Sequence, residues 1–341
     1  MKQMLVLGLE SSCDDCSAAV VEESLNGPQI HSLIRTSQDW LHGPYGGVVP
    51  ELAAREHLIQ LRPVIGEALR RAGARASDLG RIAVTRGPGL IGCLLTTFSA
   101  AKAIAWLLQI PFIGVHHALG HLNAARFSEP NLQFPALVLL ASGGHTHLYL
   151  ARGWTDLTLI MKTRDDAAGE TFDKAARMLN LGYPGGSAVD ACAQLTSEAA
   201  PMFTQPKFRD GAPSWSFSGL KTALKLRVEN SPGLSEAGRD DPSVRALCRT
   251  INLTIASWLL KPIPGLINAH GAVSLVVSGG VACNSELRAG AASLGKNLGI
   301  TVAIPEPRLC TDNGAMVAAA GAMLPAGDSP WAENADADLR L

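Results

Sequence analysis

The sequence predicts an α/β protein whose architecture is laid down twice. Strand and helix signals alternate along its 341 residues, and the strand–turn–strand–strand opening of the first third starts again near Phe134. The 34 glycines gather in short doublets at strand ends rather than in a low-complexity tract. Such alternation implies mixed sheets covered by helices. Two halves of this kind facing each other leave a cleft, the usual place for a ligand. A chain of this length is also too long for one ordinary core and suggests two domains.

In the first half, strands are expected at Met4–Leu9, Ser17–Val21 and Ile30–Thr36, with the tight turn Ser11–Asp15 joining the first two. Apolar residues at helical spacing (Leu52, Leu58, Leu61, Ile65, Leu69) predict a helix from Pro50 to Arg71, with Gly73 as its stop. Arg81–Thr85 reads as a short strand closed by Gly87-Pro-Gly89. A long apolar helix, Leu94–Leu108, precedes a strand that begins at Phe112 and runs into histidines. In the second half, strands are expected at Pro135–Ala141, His147–Ala151, Leu157–Lys162, Ser274–Val277 and Thr301–Ile304. Helices are expected at Ala168–Leu179, Gly219–Val228, Val244–Leu260, Asn284–Leu294 and Asp312–Met323. The expected division is a lobe at 1–130, a second lobe at 131–311 with a helical insertion at about 165–260, and a frayed acidic tail at 326–341. The helix 312–325 is expected to pack back on the first lobe.

Composition excludes several classes. A formal net charge of −1 rules out a bulk electrostatic grip on nucleic acid, so such binding needs a local patch or a basic partner. Lys207, Arg209, Lys221, Lys225 and Arg227 are candidates for part of such a patch, set against a plain solvated surface. No secretory segment is visible, and no run reaches the roughly 20 apolar residues that span a bilayer. Seven scattered cysteines fit a reducing cytoplasm. Cys13 and Cys16 form the one CxxC; with no second pair to complete a zinc knuckle, they read as small residues in a turn.

The sharpest chemical signal is His117 and His121, four residues apart where an apolar strand empties into a helix start. On a helix that spacing puts both imidazoles on one face, where they can hold one divalent metal with a carboxylate completing the set. Taken alone, such a pair is more often partly buried histidines satisfied by the backbone than a metal site. Asp312, in Cys310-Thr-Asp-Asn-Gly-Ala315, is either an N-cap or the hard third ligand. Three strand-end turns, Ser11-Ser12, Ser142-Gly143-Gly144 and Ser278-Gly279-Gly280, place small residues where backbone N–H groups can approach an anion. Two gripping hairpins and a third glycine turn are how actin-like and sugar-kinase-like folds hold nucleotide. Asp190 follows the glycine turn Pro184-Gly-Gly186 and is placed to accept from a ribose or an amino acid. Asp165 and Asp166 suit helix capping, whereas Asp173 lies too far into its helix to cap it.

Several strings together resemble the TsaD family of tRNA threonylcarbamoyladenosine transferases, once called O-sialoglycoprotein endopeptidases. They are Leu7-Gly-Leu-Glu-Ser-Ser-Cys-Asp-Asp15, Gly46-Gly-Val-Val-Pro-Glu-Leu-Ala53, His116-His-Ala-Leu-Gly-His121, Ser142-Gly-Gly-His-Thr146, Ser216-Phe-Ser-Gly-Leu-Lys-Thr222, Ser278-Gly-Gly-Val-Ala-Cys-Asn284 and Cys310–Ala315, in order over residues 4 to 325. The resemblance implies a duplicated actin-like (ribonuclease H-like) ATPase fold with two lobes around a nucleotide cleft. It implies transfer of a threonylcarbamoyl group from threonylcarbamoyl-adenylate to the exocyclic amine of the adenosine 3′ of the anticodon, in tRNAs reading ANN codons, with release of AMP. By position, His117, His121 and Asp312 would hold iron or zinc. Leu140, Ala141, Ser142, Gly143, Gly144, Asp173, Gly186, Asp190 and Asn284 would bind the adenylate, and Asp14 would lie at the reacting carbonyl. ATP or ADP is a further occupant of the cleft. Implied partners are tRNA, a smaller TsaB-like paralogue, a TsaE-like ATPase and a synthase that makes the adenylate, or a second copy in a homodimer, all cytoplasmic and away from membranes. Two departures stand out: Leu119 replaces the family's usual glutamate between the histidines, and Asp15-Cys16 replaces its Glu-Thr.

Three rival readings have distinct signatures. A zinc peptidase needs a glutamate beside the first histidine, and Ala118, Leu119 and Gly120 fill that gap instead. A small-molecule kinase of the same fold would consume ATP with no tRNA and has no use for the histidine pair. A non-catalytic scaffold subunit would be expected to lose metal ligands, and all three are kept.

Overall fold

Apolar runs bounded by turn residues become the strands of two five-stranded sheets. The computed structural model describes residues 4–206, 208, 213–231, 233–234, 236–327 and 330–341. The chain forms two units: Met1–Leu132 with Ala151–Thr158 and Pro305–Leu341, and Gln133–Leu150 with Leu159–Ile304.

In unit 1, β1 (Met4–Glu10) pairs antiparallel with β2 (Cys16–Ser24), which pairs antiparallel with β3 (Gly27–Thr36). A one-turn helix α1 (Asp39–His42) and the long α2 (Pro50–Ala72) follow. Then β4 (Arg81–Gly87), α3 (Ile91–Leu108), β5 (Phe112–His116) and α4 (His117–Ala124) complete the first pass. Strand β4 is parallel to both β1 and β5, so the order is β3-β2-β1-β4-β5. Leu7, Leu9, Val20, Ile82, Val84 and Phe112 pack with Leu61, Val64 and Phe98 of α2 and α3 into one core. By length and composition alone, helix α3 would also pass for a membrane span. Here Phe98, Ala101 and Ala105 of α3 are buried in that core.

Unit 2 repeats the plan. The second sheet has β6 (Ala136–Ala141), β7 (Thr146–Gly153), β8 (Asp156–Lys162), β9 (Ser274–Ser278) and β10 (Thr301–Ala303), in the order β8-β7-β6-β9-β10, with the β7–β8 turn region Ala151–Thr158 grouped in unit 1. First strand for first strand, this is the order of unit 1, which makes the fold a duplicated one. Between β8 and β9 lie α5 (Ala168–Met178), α6 (Gly185–Ala193), α7 (Ser218–Glu229), α8 (Pro242–Leu260) and α9 (Ile263–His270). Helix α10 (Ser285–Leu298) joins β9 to β10.

The chain then passes a one-turn helix, α11 (Pro307–Cys310), into α12 (Gly314–Met323). Helix α12 is apolar all round and is buried from Gly314 to Gly321. It lies on the face of the unit 1 sheet opposite α2 and α3. A Cβ on Gly8 would stand 2.0 Å from the Gly314 carbonyl, and one on Gly314 would stand 2.6 Å from the Gly8 carbonyl. Only glycine at both positions lets strand and helix approach so closely.

Three expectations need correcting. Helices α6 and α9 were not foreseen, because Gly185-Gly186 and Pro262-Ile-Pro264-Gly265 read as breakers. Proline is compatible with a first helical turn, and Gly185 is required because a Cβ there would stand 2.4 Å from Asp173 Cα. The expected frayed tail is bound over its described length. Asp336 N–H donates to the Arg86 carbonyl at 2.9 Å, Gly89 N–H donates to the Ala337 carbonyl at 3.2 Å, and Trp331 stacks on Phe112 with ring centres 6.4 Å apart. Lys102 Nζ donates to the Trp331 carbonyl at 2.9 Å and also to that of Glu333. The tail's acidic composition hid these contacts, most of which are made by its backbone.

Candidate active site

His117 opens α4 and His121 follows one turn later, so the helical period alone sets their rings side by side. Nε2 of His117 and Nε2 of His121 are 3.1 Å apart. Asp312 reaches them from the loop before α12, its Oδ1 3.2 Å from His121 Nε2 and 3.5 Å from His117 Nε2. Three donors on a tetrahedron with bonds of about 2.0–2.1 Å are separated by roughly 3.3 Å. The trio therefore fits one divalent cation in spacing and in donor type. Asp312 is not the cap of α12; that role falls to Asn313, whose side chain accepts from Met316 N–H. Across the rings, His117 Nδ1 faces Ser12 Oγ at 3.3 Å and Glu10 Oε2 at 3.4 Å. Glu10 is fully buried and also accepts from Ser12 N–H and Thr85 Oγ1. It was not foreseen as a site residue, although a lone acid ending an apolar strand was a readable signal.

The charges follow from this packing. Burial disfavours a charge on His117, but Asp312 and Glu10 outweigh it and push the imidazole up to about 9. His121 moves the other way: burial and the neighbouring His117 outweigh Asp312, and its imidazole lies below the usual range. Asp14 sits half-buried on the β1–β2 turn, beside the Cys13 thiol. Beside it, burial pushes Asp15 up to about 8 against the pull of Arg35, 3.8 Å away. Arg35 also donates to Thr311 Oγ1 and so ties β3 to the loop that presents Asp312. Burial raises the Cys13 thiol well above its ordinary range and Cys16 to about 12. Neither CxxC thiol is poised for redox chemistry.

The remaining predicted residues lie in unit 2, in two groups. Leu140 to Gly144 ends β6 in a turn closed by Ser142 N–H on the His145 carbonyl at 2.7 Å, and nothing stands within 4 Å of a Cβ at Gly143 or Gly144. A Cβ on Gly169 would strike the Ser142 carbonyl at 2.5 Å, and one on Gly279 the Ala141 carbonyl at 2.3 Å. Gly279 thus serves close packing, while Gly143 and Gly144 leave backbone open to a ligand. The second group forms around α6. Asp173 accepts from Gly185 N–H at 2.8 Å, so it caps the following helix rather than its own. Gly186 is the second residue of that helix. Asp190 and Asn284, 94 residues apart, are joined directly: Asp190 Oδ1 accepts from Asn284 Nδ2 at 3.2 Å, Asn252 Nδ2 at 2.7 Å and Ser285 Oγ at 2.7 Å. Asn252, buried in α8, carried no signal in the sequence. A separate cavity of about 500 Å³, lined by Arg227, Leu234, Asp241 and Leu247 among others, shares no residue with these groups.

Of the proposed basic patch, Lys207 and Arg209 lie outside the described residues. Lys221 pairs with Asp166 at 3.2 Å, Lys225 with Glu229 at 3.7 Å, and Arg227 donates to the Pro201 carbonyl while covering the Phe203 ring.

The twice-built sheet and its strand-end turns place the molecule among the actin-like ATPase-fold proteins. Full-length HypF, solved in a phosphate- and nucleotide-bound form, superposes on 94% of this chain and 55% of its own with a TM-score of 0.60 at 12% identity. Component A of the (R)-2-hydroxyglutaryl-CoA dehydratase of Acidaminococcus fermentans gives 0.55 at 15% identity, over 93% of this chain and 97% of its own. The family model for TsaD, tRNA N6-adenosine threonylcarbamoyltransferase, matches residues 29–319. Proteins of that name from Pelobacter propionicus and Anaeromyxobacter dehalogenans are 46% and 45% identical over 93% of this chain, covering 91% and 92% of their own lengths. The chain belongs to the TsaD family, and it is an acyltransferase of tRNA modification.

Proposed function

We propose that this chain moves a threonylcarbamoyl group from threonylcarbamoyl-adenylate to N6 of the adenosine 3′ of the anticodon in tRNAs reading ANN codons, with one divalent metal held by His117, His121 and Asp312. The observation that carries this reading is the 3.1–3.5 Å triangle of donor atoms in a chain of this family. When bound, the metal supplies a Lewis acid for the acyl or phosphate oxygens. In the reaction a bond forms between N6 and the carbamoyl carbon while the bond from that carbon to the AMP phosphate oxygen breaks. Asp14 orients the amine and accepts the proton it loses. The adenylate is already activated and AMP is a good leaving group, so the protein's work is positioning and charge stabilisation. Exposed N–H groups at Gly143 and Gly144 suit the phosphate, and Asp173, Gly186, Asp190 and Asn284 suit the nucleoside.

The kinase and peptidase readings are not favoured: Leu119 and its neighbours offer no base, and the relatives carry transferase names. The test is incubation with tRNA, threonine, bicarbonate, ATP and the synthase, followed by nucleoside analysis. Threonylcarbamoyladenosine is expected; ATP consumption with no modified nucleoside would defeat the assignment. Asp14→Asn is expected to keep adenylate binding and lower transfer by about 10²–10⁴-fold; normal turnover would remove Asp14 from its role.

A smaller paralogous subunit is the favoured partner. Helices α2 and α3 expose Leu58, Ile59, Ile91 and Leu95, an apolar face suited to a helical surface of like chemistry. Sedimentation with the paralogue should show a heterodimer that Leu95→Glu abolishes. An unchanged complex would move the interface elsewhere.

A further inference from the structure

Three side chains outside the metal centre form one continuous polar line. Gln38, which precedes α1, His42 at the end of α1, and His57 in α2 are all fully buried. At one end Val49 N–H donates to His42 Nδ1 at 3.3 Å. A backbone N–H can only donate, so His42 carries its proton on Nε2, which meets Gln38 Oε1 at 3.1 Å. The Gln38 amide nitrogen faces the Ala53 carbonyl at 3.4 Å and His57 Nδ1 at 3.5 Å. A carbonyl can only accept, which fixes the orientation of the amide and makes His57 Nδ1 an acceptor. His57 Nε2–H then donates to the Cys13 carbonyl at 2.8 Å. Both ends dictate the same direction, and every link is consistent with two neutral imidazoles.

The far end of this line is the peptide bond that enters Asp14. Earlier residues of the turn are tied to the region where α3 begins, by Leu90 N–H on the Ser12 carbonyl at 2.8 Å and by Ser11 Oγ on the Cys93 carbonyl at 3.0 Å. The Cys13 carbonyl is tied to α2 through His57. Packing alone asks for nothing polar here, and a buried polar network is costly unless every member is satisfied.

We infer that His57, held in one tautomer by Gln38 and His42, is a positioning residue that sets Asp14 for the transfer step. This rests on the assignment of Asp14 as the group acting on the amine. The charged groups facing His57 are Glu10 from β1, Asp14 from the turn and Glu56 from α2; burial outweighs all three and keeps its imidazole below the usual range. The displacement that follows loss of the bond is of the kind that costs on the order of 10²-fold in rate at an about 1 Å error.

The experiment compares the full-length wild type with His57→Leu and His57→Gln. His57→Leu should lose roughly 10- to 100-fold in kcat, with KM for the adenylate and bound metal unchanged. His57→Gln, whose amide can reach the Cys13 carbonyl, should recover most of that loss. Long-range nitrogen–proton NMR of the wild type at pH 8 should show both His42 and His57 as Nε2–H tautomers, as their hydrogen bonds dictate, a readout independent of the reaction. Should His57→Leu fail to fold, His42→Leu, one link further out, should show a smaller loss of the same kind. The inference is overturned by a His57 imidazolium at pH 6.5, by the other tautomer, by kcat of His57→Leu within twofold of wild type, or by equal loss in both His57 variants. An inactive wild type with the NMR pattern intact would instead defeat the assigned activity, and this inference with it.

Discussion

His117 shows how a single side chain is given its chemistry by its neighbours. With its pKa pushed up to about 9 by Asp312 and Glu10 against burial, it holds a proton at pH 7.5 that a cation must displace. Metal affinity should therefore rise about tenfold per pH unit from 7 to 9 and level off above, with close to one proton released per ion at the lower end. Competition titration against a chelator checks this, and a pH-independent Kd would contradict the ligand assignment. His117→Ala should bring bound metal from one per chain to near zero. The histidine spacing was readable in the sequence because it is a local, helical fact. Glu10 was not singled out, because what gives it importance is the Nδ1 of a residue 107 positions later.

At the scale of elements, the decisive contact is between β1 and α12. The Gly8–Gly314 approach lays α12 on the sheet, and the loop before α12 then delivers Asp312 to α4. Gly8→Ala would put its Cβ 2.0 Å from the Gly314 carbonyl and 2.5 Å from Ala318 N. Both are backbone atoms with nowhere to move. The substitution should destabilise unit 1 by about 3 kcal/mol or more and lower metal occupancy with it. Denaturant unfolding and metal analysis would check both; wild-type values would mean that α12 is seated differently. Strands and long helices were legible here because their periods are short. Helix α6 was not, since Gly185 and Gly186 carry breaker chemistry that only the pressure of Asp173 explains.

For the molecule as a whole, the last segment acts as a strap rather than a loose end. Removing residues 326–341 would strip Trp331 from Phe112 and the backbone partners from Arg86, Lys102 and His116. That deletion should cost unit 1 roughly 2–4 kcal/mol, read as an earlier unfolding transition; unchanged unfolding would return the segment to the status of a tail.

The sequence by itself determined the alternation of elements, the duplication, the family and the side-by-side histidine pair, because each is written in short-range spacing or in ordered motifs. Only the tertiary structure decided that Asp173 caps a neighbouring helix, that Asp190 meets Asn284, and that a buried glutamine and two histidines end on the carbonyl before Asp14. Those facts depend on which distant backbone lies within hydrogen-bond reach, and residue identity along the chain does not encode that distance directly.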